Sequence, residues 1–331
     1  MSQYRKHYLI TGGAGFIGSN LVNELLQDKS LRITCIDNFD PFYPRQLKLL
    51  NTVDFEKNGN VIVIDRDLRS LTVAELKDIL PAPVDVIIHL AAKAGVRPSI
   101  ADPAGYQEVN VLGTQVLLDF AKECGIKQFV FASSSSVYGV NQNLPWKETE
   151  PLQPISPYAM TKLSCEMAGH VFSHLYGIRF IALRFFTVYG PAQRPDLAIH
   201  KFVKSILLDK PLAMYGNGST SRDYTYIGDI VQGILAAIDY DRSPFEIINL
   251  GNSYAVSLRD LITAIEGVMG KKALIDTHPE QPGDVPRTFA DISKARQLLG
   301  YNPRTTLEDG LRNFYDWFLE NKELLLREAI S

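Results

Sequence analysis

Apolar residues in this chain gather in short blocks separated by stretches of helical periodicity. Residues 8–10, 32–36, VIVID (61–65), VDVIIHLAA (84–92), QFVFAS (128–133) and RFIALRFF (179–186) are compact and rich in β-branched or aromatic side chains. Strands buried on both faces of a parallel sheet have that composition. Phe16, Ile17, Leu21, Leu25 and Leu26 mark one face of a helix after the first block, and 104–124 and 157–175 read as longer helices. EIINLG (246–251) reads as one more core strand. Past residue 187 the pattern loosens, with PAQRPD, YGNGSTSRD and HPEQPGDVPR as punctuation and helices at 258–269 and 307–326. The alternation predicts an α/β fold, a Rossmann-type doubly wound parallel sheet with a smaller, discontinuous C-terminal lobe over its carboxyl edge. There is no internal repeat and no flexible linker.

TGGAGFIG (11–18) adds chemistry to that frame. Gly12, Gly15 and Gly18 stand between the first strand and its helix, where bare backbone approaches a pyrophosphate and the helix N-terminus favours its charge. Asp37 follows nineteen residues after Gly18, at the tip of the second strand. A carboxylate there accepts from the adenosine ribose hydroxyls and repels a 2′-phosphate, and no Arg follows directly, so the pattern favours NAD over NADP. The plainer reading of Asp37 is a solvated strand-end residue, with Asn38 as its turn. Within the frame, residues 1–186 and a returning segment at about 225–255 form the NAD-binding unit. Residues 187–224 and 256–331 form the substrate lobe.

In SPYAMTK (156–162), Tyr158 and Lys162 lie four apart and share one helix face. A phenol of pKa about 10 is a poor base near neutrality, but an ammonium and a nicotinamide cation beside it favour the phenolate. Tyr158 then becomes a credible proton acceptor from a sugar hydroxyl. Y-x-x-x-K by itself is a common surface pattern; the dinucleotide turn before it gives it weight. Ser133, Ser134, Ser135 and Ser136 follow a core strand at its carboxyl end, where α/β proteins place their chemistry, and offer hydroxyls without charge.

Composition narrows the class. The chain has 331 residues, 46% hydrophobic and 21% charged, and a net charge of −3. No basic block suggests nucleic acid, and no apolar run reaches the roughly 20 residues that span a bilayer. The first residues read straight into the first strand, a pattern that predicts no signal peptide. Cys35, Cys124 and Cys165 form no metal or disulfide pattern, which predicts reduced thiols, no metal and a cytoplasmic setting.

Together these residues resemble the extended short-chain dehydrogenase/reductases that modify nucleotide sugars. The resemblance covers nearly the whole chain and rests on TGGAGFIG, Asp37 and Asn38, Asp67 and Leu68, HLAAKAGV (89–96), Asn110, SSSSVYG, SPYAMTK, RFFTVYGP (184–191), SRDYTYIGDI (221–230), NLG (249–251) and PGDV (282–285). It implies NAD held tightly as a reusable cofactor, contacted by Gly12, Gly15, Phe16, Ile17, Gly18, Asp37 and Asn38. Asp67 and Leu68 would lie near adenine, and Leu90, Ala91 and Ala92 along the cofactor. Asn110 and Ser133 would support it. Tyr158 is implied as the base, Lys162 as its electrostatic partner and the anchor of the nicotinamide ribose, both of them cofactor contacts, and Ser134 as the hydroxyl beside Tyr158. Arg222 would contact the UDP diphosphate, and Met214 and Tyr215 would lie near uracil. Without the resemblance, Arg222 reads equally well as a lobe-to-lobe salt bridge. A homodimer through the helices at about 104–124 and 157–176 is implied as well.

Related dehydratases carry Asp-Glu where Ser135 and Ser136 stand, and related decarboxylases a Glu at Ser136. Neither acid is present here, which leaves 4-epimerisation. Thr187 stands where UDP-glucose 4-epimerases typically have Asn. The hydroxyls of Ser135, Ser136 and Thr187, with Arg194, make a set that holds a C5 carboxylate. The closest resemblance is therefore to UDP-glucuronate 4-epimerases. UDP-glucose or UDP-N-acetylglucosamine 4-epimerisation is the alternative, and an NAD-sensing protein without chemistry the rival of another class. A solvated loop cation remains the plainer reading of Arg194, and a packed strand end that of Thr187. The loop GPAQRPDLA departs from the usual GPWGRPDMA, Arg287 stands where a small residue is common, and Arg97 has no assigned role.

Overall fold

The computed structural model describes residues 4–55, 57–279 and 285–327. Pro282, Gly283 and Asp284 of the PGDV motif lie outside the described residues. Twelve strands are formed among those described: β1 (Lys6–Thr11), β2 (Leu31–Asp37), β3 (Val61–Asp65), β4 (Val86–His89), β5 (Gln128–Ser134), β6 (Arg179–Phe185), β7 (Thr187–Tyr189), β8 (Pro211–Tyr215), β9 (Ser221–Tyr226), β10 (Phe245–Leu250), β11 (Ala255–Ser257) and β12 (Leu274–His278). Seven of them make one parallel sheet in the order β10-β6-β5-β4-β1-β2-β3. The order reverses between β1 and β4, which opens the crevice where doubly wound folds bind their ligands.

Both faces of the sheet are covered, as its continuous apolar strands require. On one face the helices Phe16–Leu25 and Ile227–Ile238 bury Leu21, Val22, Ile230 and Ile234 against Ile10, Ile33 and Ile88. On the other, the helices Gly113–Cys124 and Pro157–Tyr176 bury Leu117, Leu118 and Cys165 against Leu9, Ile87 and Phe129. A third core lies under the smaller sheets, where Phe202, Ile262 and Phe314 come from the helices Ala198–Leu207, Leu258–Met269 and Leu307–Glu320. Two exchanges tie the cores together. Tyr43 and Leu47 leave the first half of the chain to join the third core, and Ala290, Ile292, Ala295 and Tyr301 return from the C-terminal part to the first.

The helix predicted at 104–124 is a composite. Asp102 caps Pro103–Tyr106 by accepting from the Gly105 N–H at 3.0 Å; a π-helical stretch, Gln107–Leu112, follows; and Gly113–Cys124 continues as ordinary α-helix. Wider turns of this kind turn a side chain out of the regular helical register, often at a functional site. Asn110 is the residue buried here. The helix Pro157–Tyr176 begins as its sequence dictates: Ser156 accepts from the Ala159 N–H at 3.2 Å, Pro157 pre-sets the first turn, and Gly177 ends it at φ +65°.

Candidate active site

The glycine turn is fixed by contacts that leave no room for side chains. Gly12 sits at φ +73°, and a Cβ there would meet the Ala91 nitrogen. A Cβ on Gly18 would fall on the Gly12 carbonyl. The close approach of turn, helix and the loop after β4 therefore requires bare backbone. Gly15 caps the helix Phe16–Leu25 without any side-chain hydrogen bond, so the first N–H groups of that helix remain for a ligand.

These groups open onto a cavity of about 390 Å³ that runs along the carboxyl edge of the sheet. Gly12, Gly15, Phe16, Ile17 and Gly18 line one end of it, together with Asp37, Asn38, Asp67 and Leu68. Asp37 is buried; its carboxylate accepts from the Ala14 N–H at 3.1 Å and the Phe39 N–H at 2.8 Å. Asn38 donates to Asp67 at 3.0 Å, and Arg69 clamps the same carboxylate and holds it down at about 2. Leu90, Ala91 and Ala92 form the middle of the wall. Ser133, Ser134, Tyr158, Lys162, Thr187 and Arg194 close the other end.

At that end the geometry differs in part from the sequence expectation. Burial pushes the Tyr158 hydroxyl above its ordinary value, against the hydrogen bond with Ser134 and the positive charge of Arg194. Lys162 acts on it only through space: its ammonium donates to the Ala132 carbonyl at 2.7 Å and stands 6.0 Å from the centre of the Tyr158 ring. Burial lowers Lys162 itself to about 8. The Ser133 hydroxyl is likewise committed elsewhere, donating to Glu166 at 2.5 Å, whose other partner is the fully buried Arg184 at 2.7 Å. Of the serine run only Ser133 and Ser134 reach the cavity. The chain turns tightly at 135–138, and Ser136 folds back so that its N–H and hydroxyl both donate to the Ser134 oxygen.

Other sequence candidates lie off the cavity. Asn110 is behind its wall, where it accepts from the Lys93 N–H at 2.8 Å and donates to Thr161 at 3.0 Å. It joins the loop after β4 to the helix of Tyr158 and is a support, not a cofactor contact. Above it runs a neutral relay. Burial and then Lys162 depress His89 to about 3. Since Thr114 donates to the Asn110 carbonyl, its oxygen accepts from His89 Nε2, and Thr11 donates to Nδ1. Met214 is buried in the third core, Tyr215 packs on His278, and Arg222 donates to the Ser221 carbonyl; none lines the cavity. Arg97 stands 5.8 Å over the Tyr215 ring and Arg287 5.4 Å over Phe289.

Arg194 is not a solvated loop cation. Asp196 grips it through Nε and Nη2 at 3.0 and 2.9 Å, and its guanidinium lies 5.2 Å over Phe42. The departure at GPAQ has a local account: Ala192 adopts φ +66°, while Gln193 is buried, donates to the Val188 carbonyl and gives its own carbonyl to His200. The sequence pointed to none of Lys48, Tyr106 and Asp196. Tyr106 stands edge-on to Tyr158 at 6.2 Å while its hydroxyl donates to the Ala94 carbonyl. The Asp102-Pro103 cap was the available signal for Tyr106; Lys48 lies in an unremarkable polar stretch.

A family profile described as GDP-mannose 4,6 dehydratase matches residues 9–314. The chain belongs to this family. Among curated relatives, a UDP-glucuronate 4-epimerase of Thermodesulfobacterium geofontis is 39% identical over 96% of this chain and 98% of its own length. The solved UDP-glucuronic acid 4-epimerase of Bacillus cereus, in complex with UDP-glucuronic acid and NAD, is 39% identical, with a TM-score of 0.88 over 95% of this chain and 99% of that one. UDP-glucose 4-epimerase of Thermotoga maritima, solved with UDP-glucose, is 30% identical, with a TM-score of 0.87 over 96% of this chain and 99% of that one. Family membership and the parallel sheet agree with the sequence reading. The family's name describes a dehydration, whereas this chain has Ser135 and Ser136 at the two positions read above as those of the dehydratase acids. Among the described residues no group of His, Cys, Asp and Glu could hold a metal, and no helix is long and apolar enough to cross a membrane.

Proposed function

We propose that this chain is an NAD-dependent isomerase that epimerises a UDP-sugar at C4 through a 4-keto intermediate, with UDP-glucuronate converted to UDP-galacturonate. The observation that carries this reading is that one cavity joins the glycine turn and Asp37 to Tyr158, Ser134, Thr187 and Arg194. The residues fit NAD: bare glycines and free helix N–H groups for the pyrophosphate, and a buried carboxylate for the ribose. When bound, the cofactor supplies a ring carbon that takes a hydride from C4 and returns it.

The protein's own part is proton handling and orientation. Tyr158 removes the C4 hydroxyl proton, with Ser134 sharing the reacting oxygen and Lys162 holding positive charge behind the ring. Burial keeps Tyr158 protonated in the ligand-free chain, against Ser134 and Arg194, and the Lys162 charge and the bound cofactor's charge favour the phenolate. The keto sugar then turns about its bond to the diphosphate and presents its other face, and Tyr158 returns the proton. Thr187 and Arg194 hold the C5 carboxylate. That hold protects a β-keto acid, which loses CO2 when its carboxylate bond aligns with the carbonyl π system. On this reading Arg222, Met214 and Tyr215 of the smaller lobe place UDP.

Residues 1–186 with about 225–255 serve the cofactor, and 187–224 with 256–331 the sugar, apart from the exchanged segments. Exposed Leu112, Met160, Met167, Val171 and Leu175 on the helices at 103–124 and 157–176 support a homodimer, and three free cysteines a reducing cytoplasm. Purified protein, given UDP-glucuronate or UDP-glucose without added NAD, should invert C4 of the former. Free NADH equal to product would instead indicate a dehydrogenase. Inversion of UDP-glucose alone would assign the alternative supported by the Thermotoga relative.

A further inference from the structure

The helix of Tyr158 meets the end of the serine strand in three successive contacts, and one of them has no part in the chemistry described above. Tyr158, Lys162 and Glu166 follow one another at four-residue steps, so their side chains stand in a row on one side of the helix Pro157–Tyr176. Each meets one of three consecutive residues at the end of β5. Tyr158 is hydrogen-bonded to Ser134, Lys162 donates to the Ala132 carbonyl, and Glu166 accepts from the Ser133 hydroxyl. Glu166 is wholly buried and does not line the cavity. Arg184 holds it from the neighbouring strand. That residue is the register partner of Ser133 across the β5–β6 ladder, and its Nε and Nη2 donate to the two carboxylate oxygens at 2.9 and 2.7 Å. The same guanidinium lies 4.8 Å over the ring of Tyr138, the last residue of the turn after the serines. Three residues past Glu166, a Cβ on Gly169 would meet the Phe180 ring, so helix and sheet approach closely at this level.

The middle contact governs the outer one. A bond from a hydroxyl to a carboxylate is charge-assisted, and a carboxylate gripped at both oxygens by one arginine has little freedom to move. Ser133 and Ser134 are successive strand residues whose side chains point to opposite sides, so fixing the rotation of one fixes that of the other. Resting on the reading that Tyr158 is the proton acceptor, we propose that Glu166 is a positioning residue. Through Ser133 it sets the rotation of the strand end, and so aligns the Ser134 hydroxyl with Tyr158 and the reacting oxygen. Misplacing such a group by about 1 Å costs on the order of 10²-fold in rate. Binding of the sugar nucleotide rests on groups that Glu166 does not touch.

The test is steady-state C4 inversion of UDP-glucuronate by E166Q, S134A and E166Q/S134A, with the nucleotide content and a thermal melt of each. E166Q keeps the shape of the side chain and removes its charge. It should lower kcat about tenfold or more, while KM changes by less than about threefold and the nucleotide content stays the same. In the S134A background the same substitution should cost less than about threefold, because the hydroxyl it aligns is gone. An unchanged kcat in E166Q, an equal loss in both backgrounds, or a loss carried by KM and nucleotide content overturns the assignment and leaves Glu166 a support of the fold. Should E166Q not fold, E166L/R184L, which removes both buried charges together, takes its place with the same expectations. Y158F separates the two levels. Full turnover in Y158F removes the base on which the proposal rests, whereas lost turnover there with an unchanged E166Q removes the role of Glu166 alone.

Discussion

The Lys162 ammonium donates to the main-chain carbonyl of Ala132 at 2.7 Å. The strand that ends in the serine run thus holds the lysine beneath the Tyr158 ring, and its positive charge works through space. Burial sets that charge near the physiological limit, at about 8. Below that pH Lys162 is protonated and favours a phenolate; above it the charge is lost. The kcat/KM profile for the sugar nucleotide should carry a basic limb near 8, because this parameter reports groups of the free enzyme. In K162R, whose guanidinium stays charged, the limb should move up by more than about one unit. A profile flat from pH 7 to 9.5 would contradict this.

Tyr158→Phe removes the proton acceptor and leaves the ring against Tyr106. Turnover should fall by about 10²–10⁴-fold while the nucleotide released on denaturing the purified protein is unchanged. Assay of epimerised product beside nucleotide content checks both halves, and residual turnover near the unaltered level would remove Tyr158 from its role.

The Glu166–Arg184 pair lies under the serine run with both side chains essentially unexposed. Arg184→Leu alone strands a buried carboxylate and should cost about 3–5 kcal/mol. Replacing both residues by Leu should recover most of that loss. Urea midpoints at constant m-value measure it, and a double variant no better than the single would show that the polar network, not the lone charge, matters.

Glycine substitutions should separate by place. Gly18→Ala sets a methyl on the Gly12 carbonyl and should abolish nucleotide binding. Gly267→Ala, in the helix Leu258–Met269 with nothing within 4 Å, should stabilise the chain by about 0.5–1 kcal/mol. Calorimetric titration and thermal melts of the two read the contrast.

Asn110→Ala leaves the Lys93 N–H and the Thr161 hydroxyl without their buried partner. It should cost about 1–3 kcal/mol and lower kcat more than it raises KM, since Asn110 supports the Tyr158 helix without touching the cavity. Denaturant melts together with steady-state rates test this.

Local pattern was enough to read the parallel sheet, its glycine turn, Asp37 at the second strand tip and the shared helix face of Tyr158 and Lys162. Each depends on spacing within a few residues, and a strand or helix imposes that geometry wherever it forms. Hydroxyl and charge partners were another matter. Ser133 turned inward to Glu166, Ser136 folded onto Ser134, Lys162 chose Ala132, and Arg194 met Asp196 and Phe42, because those partners come from strands, turns and loops brought together by packing. Lys48 is the clearest case. Nothing in its surroundings along the chain marks it, and only the burial of Tyr43 and Leu47 in a distant core swings its ammonium to 3.8 Å from Asp37. The sequence by itself determined the strand order's raw material and the chemistry available at the sheet's edge. Tertiary packing decided which of those groups remain free to act, since a buried polar group must take whatever partner the fold brings within reach.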